Sequence, residues 1–136
     1  MIKPVNRDIA ILSQASKAAS IMDLQIAKNL EDTLAANSER CVGMAANMIG
    51  ELKRIIVFDN NGEYMTMFNP EIVKCSGKYD AEEGCLSLPG ERKTVRYRRI
   101  TVKYQDRSFK WFEKEFTGFP AQIIQHEIDH CNGVLI

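Results

Sequence analysis

The sequence from residue 52 to residue 116 runs through successive β-type stretches with no helical pattern between them. LKRIIVFD (52–59) is rich in β-branched residues, and the following NNG supplies turn chemistry before two further extended runs, 63–69 and 70–75. Residues 100–104 alternate apolar and polar side chains, which is typical of a half-buried strand, and another strand is predicted over 109–116. Strands that follow one another without intervening helices pair mainly antiparallel.

Helical patterns lie on either side of this segment. Residues 21–36 place apolar side chains at three- and four-residue spacings, which predicts an amphipathic helix: Leu24, Ala27, Leu30 and Leu34. A shorter helix or turn is predicted within 8–17, with Asn6 or Asp8 as its cap. A last helix is predicted from Pro120 to Cys131, because proline is well tolerated in a first helical turn. We therefore expect an α+β fold, a mainly antiparallel sheet packed around the C-terminal helix, with the amphipathic helix near the N-terminus.

Size and charge narrow the classes of protein further. A chain of 136 residues holds one core, so we expect a single domain over residues 1–136. Lys plus Arg and Asp plus Glu are both 18, so the net charge is zero and DNA is not an expected partner. No stretch approaches the roughly 20 apolar residues of a membrane helix.

The oxidation state of the cysteines depends on the cellular compartment of the protein. The opening 20 residues hold no long apolar stretch of the kind found in export signals, so we expect a cytoplasmic protein whose four cysteines are reduced. A reduced cysteine is most often a small buried residue, which is the interpretation for Cys41, Cys75 and Cys131.

The C-terminal helix carries the pattern His-Glu-x-x-His. His126 and His130 lie one turn apart on one helix face, a spacing suited to binding one metal ion. Glu127 lies beside the first of them, where a carboxylate can act as a general base without coordinating the metal. These are the only two histidines of the chain, so two ordinary surface histidines are the weaker interpretation.

A third metal ligand must come from another residue type, because catalytic zinc and ferrous sites usually have three protein ligands. Asp, Glu and Cys are all candidates. Cys85 is the preferred one, because it lies in the tract EGCLSLP (83–89), where glycine and proline indicate a turn.

Three tracts in this order together resemble the peptide deformylase family: VGMAANMIG (42–50), EGCLS (83–87) and QHEIDH (125–130). FNPEI (68–72) is similar to the strand that the family has between the first two motifs. The resemblance implies removal of the formyl group from N-formylmethionyl nascent peptides, with formate as the second product. It also implies a ferrous ion, replaceable by zinc, nickel or cobalt, bound by Cys85, His126 and His130, with Glu127 as the general acid/base.

The resemblance further implies roles around the substrate. The backbone N–H of Leu86 and a glutamine side chain of the first motif stabilise the oxyanion in this family. The backbone at Val42 and Gly43 pairs with the substrate peptide, and Ile123 helps to enclose the methionine side chain. By the same resemblance Arg92 lies near the substrate path, and Arg96 pairs with Glu83.

The first motif departs from the family pattern at two positions. Cys41 replaces a glycine, and Met48 stands where the family has the oxyanion-stabilising glutamine. A thioether cannot donate a hydrogen bond, so the sequence predicts metal binding with weak or altered deformylase activity.

Two other functions remain open. His-Glu-x-x-His also occurs in metalloproteases, although a cysteine ligand and the lack of any later His or Glu argue against that class. Alternatively, the chain is a deformylase-like metal-binding protein that binds peptide N-termini without efficient turnover. Glu127 argues against this second alternative, because a purely binding site does not need an acid/base.

A run of basic residues over 92–103 suggests a transient ribosome contact: Arg92, Lys93, Arg96, Arg98, Arg99 and Lys103. A solvated strand face is the favoured interpretation of such a run.

Overall fold

The computed structural model describes all 136 residues and confirms the α+β class. The helices are α1 (Ile9–Leu12), α2 (Leu24–Ala36) and α3 (Gly118–Cys131). The strands are β1 (Gly43–Ala45), β2 (Ile55–Asn60), β3 (Glu63–Cys85), β4 (Leu88–Gln105) and β5 (Trp111–Thr117). Short 3-10 turns lie at Ile21–Asp23 and Ala46–Ile49.

The predicted helices form close to their expected bounds. Asp8 caps α1 by accepting a hydrogen bond from the Ala10 N–H at 2.9 Å. Ahead of α2, the side chain of Ser20 and that of Asp23 cap each other's backbone. The first turn of the predicted helix, Ile21–Asp23, is a 3-10 turn. α3 begins two residues before Pro120.

The five strands form one antiparallel sheet in sequence order, from β1 at one edge to β5 at the other. Asn61 and Gly62 form the turn between β2 and β3, both with positive φ, which is the conformation a two-residue hairpin turn requires.

β3 and β4 are longer than the sequence predicts. The runs expected separately at 63–69 and 70–75 belong to one strand that continues to Cys85. The Asn69–Pro70 dipeptide lies at a register shift in the pairing with β4, between Phe68 and Glu71. The proline is accommodated at this irregularity, so the strand continues past it. Consequently the tract 83–89 is the end of one long hairpin, with only residues 86 and 87 in the turn.

The core has two layers, one on each face of the sheet. Ile56 and Phe58 of β2 pack in the layer that contains α3, while Ile55 and Val57 pack in the layer that contains α2. A strand buried on both faces is apolar at successive positions, which explains the continuous run IIVF.

The cysteines differ from one another in burial. All four are free thiols. Cys131 is a core residue as expected, but Cys75 is exposed on β3, so the core interpretation is wrong there, and Cys41 is only partly buried. Residues 73–78 of β3 are all exposed, so this stretch of the strand offers Cys75 no buried face, although its partner on β4, Ile100, is a core residue. No helix combines the length and apolar character needed to cross a membrane.

Candidate metal centre and cleft

Two ring nitrogens of α3 face each other. The Nε2 atoms of His126 and His130 lie 3.1 Å apart, and both side chains are buried. One ligand atom from each of Cys85, His126 and His130 lies within 4.8 Å of the others. A thiol sulfur and two imidazole nitrogens that converge in this way fit a divalent metal such as Zn²⁺ or Fe²⁺.

Cys85 reaches the centre from the sheet. It is the last residue of β3 and pairs with Leu88 across the two-residue turn. The Ser87 N–H donates to the Cys85 Sγ at 3.4 Å, a contact that holds the sulfur at the end of the strand. The predicted turn is therefore beside the cysteine, and the cysteine itself is held by the strand.

A buried carboxylate orients the first histidine. Glu83 Oε1 lies 2.8 Å from His126 Nδ1, so the opposite ring nitrogen, Nε2, is directed toward the centre. Arg96 donates to Glu83 through Nε at 3.0 Å and Nη2 at 2.7 Å, and through Nη1 to Asp129 at 2.7 Å. These contacts join the β3–β4 hairpin to α3 directly behind the metal ligands.

The electrostatics of this group follow from burial and hydrogen bonding. Burial raises the pKa of Glu83, but hydrogen bonds from His126, Arg96 and Gln122 outweigh it and lower the pKa to about 2. The pKa of His126 is raised to about 10, since hydrogen bonds to Cys85 and Glu83 outweigh its burial. Burial and the charge of His126 lower the pKa of His130 to about 3. Opposite shifts are expected for facing imidazoles, because only one of the two close nitrogens can hold a proton.

Glu127 differs from Glu83 in having no hydrogen-bond partner. Its Oε1 is buried and unpaired, and the residue is 3% exposed. Burial is the main cause that raises its pKa to about 7. A carboxyl group balanced in this way near neutral pH can both accept and return a proton.

A cavity of about 620 Å³ opens beside the centre. Cys85, His126 and Glu127 line it, as do five residues that the family resemblance places near the substrate or the oxyanion: Val42, Gly43, Met48, Leu86 and Ile123. Met48 is 1% exposed there, so its thioether is part of the cavity wall. Arg92 is not a lining residue; it lies opposite Glu83 on β4 and donates to the Pro89 carbonyl at 2.9 Å.

Gly43 determines how closely β1 approaches α3. A Cβ at this position would lie 2.6 Å from Ile123 Cγ2 and 2.9 Å from Glu127 Oε2. Only glycine therefore lets this edge strand lie against Glu127, which leaves the outer edge of β1 beside the cavity.

Three further residues at this site were not identified from the sequence. Gln122 and Phe119 line the cavity, and Asp129 holds Arg96. Gln122 could have been found from its spacing, because it precedes His126 by one helical turn and shares its face. The role of Asp129 depends on a strand partner that helix spacing does not reveal.

The sequence is similar to known proteins over its whole length. Residues 3–136 match the family model described as polypeptide deformylase. A peptide deformylase of Clostridium beijerinckii is 52% identical over 136 residues, which cover 100% of both chains. One of Chlorobium luteolum is 37% identical over 146 residues, covering 99% of this chain and 76% of that protein.

Solved structures show the same fold. A Met-Ala-Ser-bound class I type b peptide deformylase from Acinetobacter baumannii superposes with a TM-score of 0.89 at 31% identity, covering 99% of this chain and 97% of that one. A peptide deformylase from Legionella pneumophila gives a TM-score of 0.85 at 36% identity, covering 99% and 83%.

We expect Glu83→Gln to weaken metal binding, because the neutral amide no longer holds His126 as the carboxylate does. Loss of such a partner typically reduces metal affinity by about 10–100-fold. Competition with a chromophoric chelator for Zn²⁺ or Co²⁺ measures the change. Glu82→Gln is the matched control, since Glu82 is exposed and makes no hydrogen bond to a ligand. An equal loss of affinity in both variants would contradict the assignment.

Proposed function

The chain belongs to the peptide deformylase family, and from this premise we propose how its residues remove the formyl group from N-formylmethionyl nascent peptides. It is a metal-dependent hydrolase of this family. The observation that carries the mechanism is the convergence of Cys85, His126 and His130 beside a buried, unpaired Glu127 in one cavity.

Cys85, His126 and His130 would hold the metal, which we propose to be Fe²⁺, replaceable by Zn²⁺, Ni²⁺ or Co²⁺. A metal in such a donor set would polarise a carbonyl and would lower the pKa of a water molecule to about 7. The mixed sulfur and nitrogen donors support any of these four ions, so the choice among them is part of the proposal.

Glu127 is the proposed acid/base. Its raised pKa and free Oε1 support proton transfer in both directions: it takes a proton from the attacking water and delivers it to the departing amine. Glu83 and Arg96 keep His126 fixed while this happens.

The substrate would lie along β1. That strand is an edge of the sheet, so an extended peptide can add to it through the backbone at Val42 and Gly43. We propose that Ile123 encloses the methionine side chain and that the Leu86 N–H donates to the oxyanion. Arg92 keeps a proposed role near the substrate path, although the cavity wall does not include it.

Met48 favours a second candidate function. Its buried thioether lines the cavity and offers no donor for oxyanion charge, which supports weak turnover or a protein that binds peptide N-termini without efficient turnover. The intact ligand set and Glu127 support the enzyme as the better proposal.

Location and domain organisation complete the proposal. We place the protein in the cytoplasm, where nascent formylated chains emerge, and treat residues 1–136 as one domain. The single sheet with a core layer on each face supports the latter.

A transient ribosome contact through β4 is a weaker proposal. Arg96 is buried against Glu83 and Asp129, Arg99 pairs with Glu115, and Arg98 stacks over Tyr79. This pairing reduces the charge available to RNA. We expect at most weak cosedimentation with ribosomes that disappears on raising the salt concentration; salt-resistant binding would require another surface.

We expect the iron-loaded protein, purified without oxygen, to release formate from formyl-Met-Ala-Ser. Glu127→Ala should lower kcat by about 10²–10⁴-fold while peptide binding is retained, because only proton transfer is lost. Formate release and peptide calorimetry measure the two properties. Binding without formate release in the unmodified protein would instead favour the binding function, and cleavage of unformylated peptides would indicate a protease.

We expect Met48→Gln to raise kcat by about 10²–10³-fold, the usual value of one oxyanion donor. The matched control is Met44→Gln, since Met44 is fully buried but does not line the cavity and should lose only stability. No gain from Met48→Gln would show that the thioether does not limit turnover.

A further inference from the structure

Gln122 belongs to the cavity wall and to the hydrogen bonds behind the metal ligands at the same time. Its Nε2 donates to Glu83 Oε2 at 2.8 Å, and Glu83 Oε1 lies 2.8 Å from His126 Nδ1. The residue also lines the cavity together with Phe119 and Ile123. Gln122 thus connects the space open to substrate with the group that orients a metal ligand.

The direction of the Gln122 amide is fixed chemically. An ionised carboxylate only accepts hydrogen bonds, so the NH₂ group must face Glu83. The opposite oxygen, Oε1, accepts no hydrogen bond from the protein. The side chain is therefore anchored at one atom only and can respond to what fills the cavity.

We propose that Gln122 is a positioning residue that couples occupancy of the cavity to the metal ligand His126 through the carboxylate of Glu83. This inference rests on the proposed function, because it takes the cavity to be the peptide site. Gln122 is neither a metal ligand nor the proposed acid/base.

The coupling follows from how Glu83 is held. Arg96 contacts both carboxylate oxygens from the hairpin side, whereas Gln122 contacts Oε2 from α3. Without Gln122, Oε2 keeps only the Arg96 Nε contact at 3.0 Å. The carboxylate then has more rotational freedom, and the orientation of the His126 ring is less well defined.

Gln125 provides an unusually close control. It lies on the same helix, three residues later, but its amide bonds to the backbone of Tyr97 and to the Ala121 carbonyl. It is buried and makes no hydrogen bond to Glu83. The same substitution at the two glutamines therefore separates an effect on the metal from an effect on helix packing.

The test uses Gln122→Met, which keeps the volume and removes the donor, and Gln125→Met in parallel. We expect Gln122→Met to lower Co²⁺ affinity by about 3–10-fold, less than the loss typical of a group bonded directly to a ligand. Gln125→Met should lower the Tm and leave Co²⁺ affinity unchanged. In the background of Glu83→Gln, the further substitution Gln122→Met should change Co²⁺ affinity less than about 2-fold, because the carboxylate through which Gln122 acts on His126 is already lost.

Coupling to the cavity has its own measurement. Met-Ala-Ser should change the visible spectrum of the Co²⁺-loaded unmodified protein and of Gln125→Met, and the change should be lost in Gln122→Met. An unaltered spectrum in the unmodified protein despite calorimetric binding would overturn the proposal. Equal losses of affinity in Gln122→Met and Gln125→Met would overturn it as well.

Neither measurement requires turnover. A protein that binds Met-Ala-Ser but releases no formate would refute the deformylase mechanism and leave this coupling intact. The two proposals can therefore fail separately.

Discussion

The buried ion pair between Arg96 and Glu83 is the interaction on which the site depends. Arg96 is 4% exposed and Glu83 8%, and together they join the β3–β4 hairpin to α3. Removing one partner of a buried pair typically costs about 3–5 kcal/mol, because the remaining charge is left without compensation. Here the same pair also orients His126, so stability and ligand geometry share one set of contacts.

The sequence predicts the elements whose periodicity is local. The spacing of Leu24, Ala27, Leu30 and Leu34 predicts α2, and the two histidines predict the metal-binding face of α3. The length of the hairpin is not predicted, because Asn69–Pro70 indicates the end of a strand in the sequence. In the structure β3 continues past this dipeptide, since it is paired with β4 on both sides of it. Long-range pairing is not encoded in local spacing.

The same distinction applies within the site. Cys85 and Glu127 follow from the residue types that the chemistry needs, and the resemblance to a family supplies the pairing of Arg96 with Glu83. Gln122 precedes His126 by one helical turn, so its spacing could have identified it. Asp129 acts through Arg96 on another element, so no pattern along the chain identifies it. The exposure of Cys75 likewise reflects a stretch of β3, residues 73–78, that has no buried face, which composition alone does not show.

The ligands come from two separate elements, with Cys85 at the end of a hairpin and both histidines on a helix about 40 residues later. A metal held by all three would close the intervening chain into a loop, as a disulfide does, and would restrict the unfolded state in the same sense. Such a closure can be reversed by a chelator, without any reductant. The supply of metal would then affect the stability of the folded state as well as the catalytic activity.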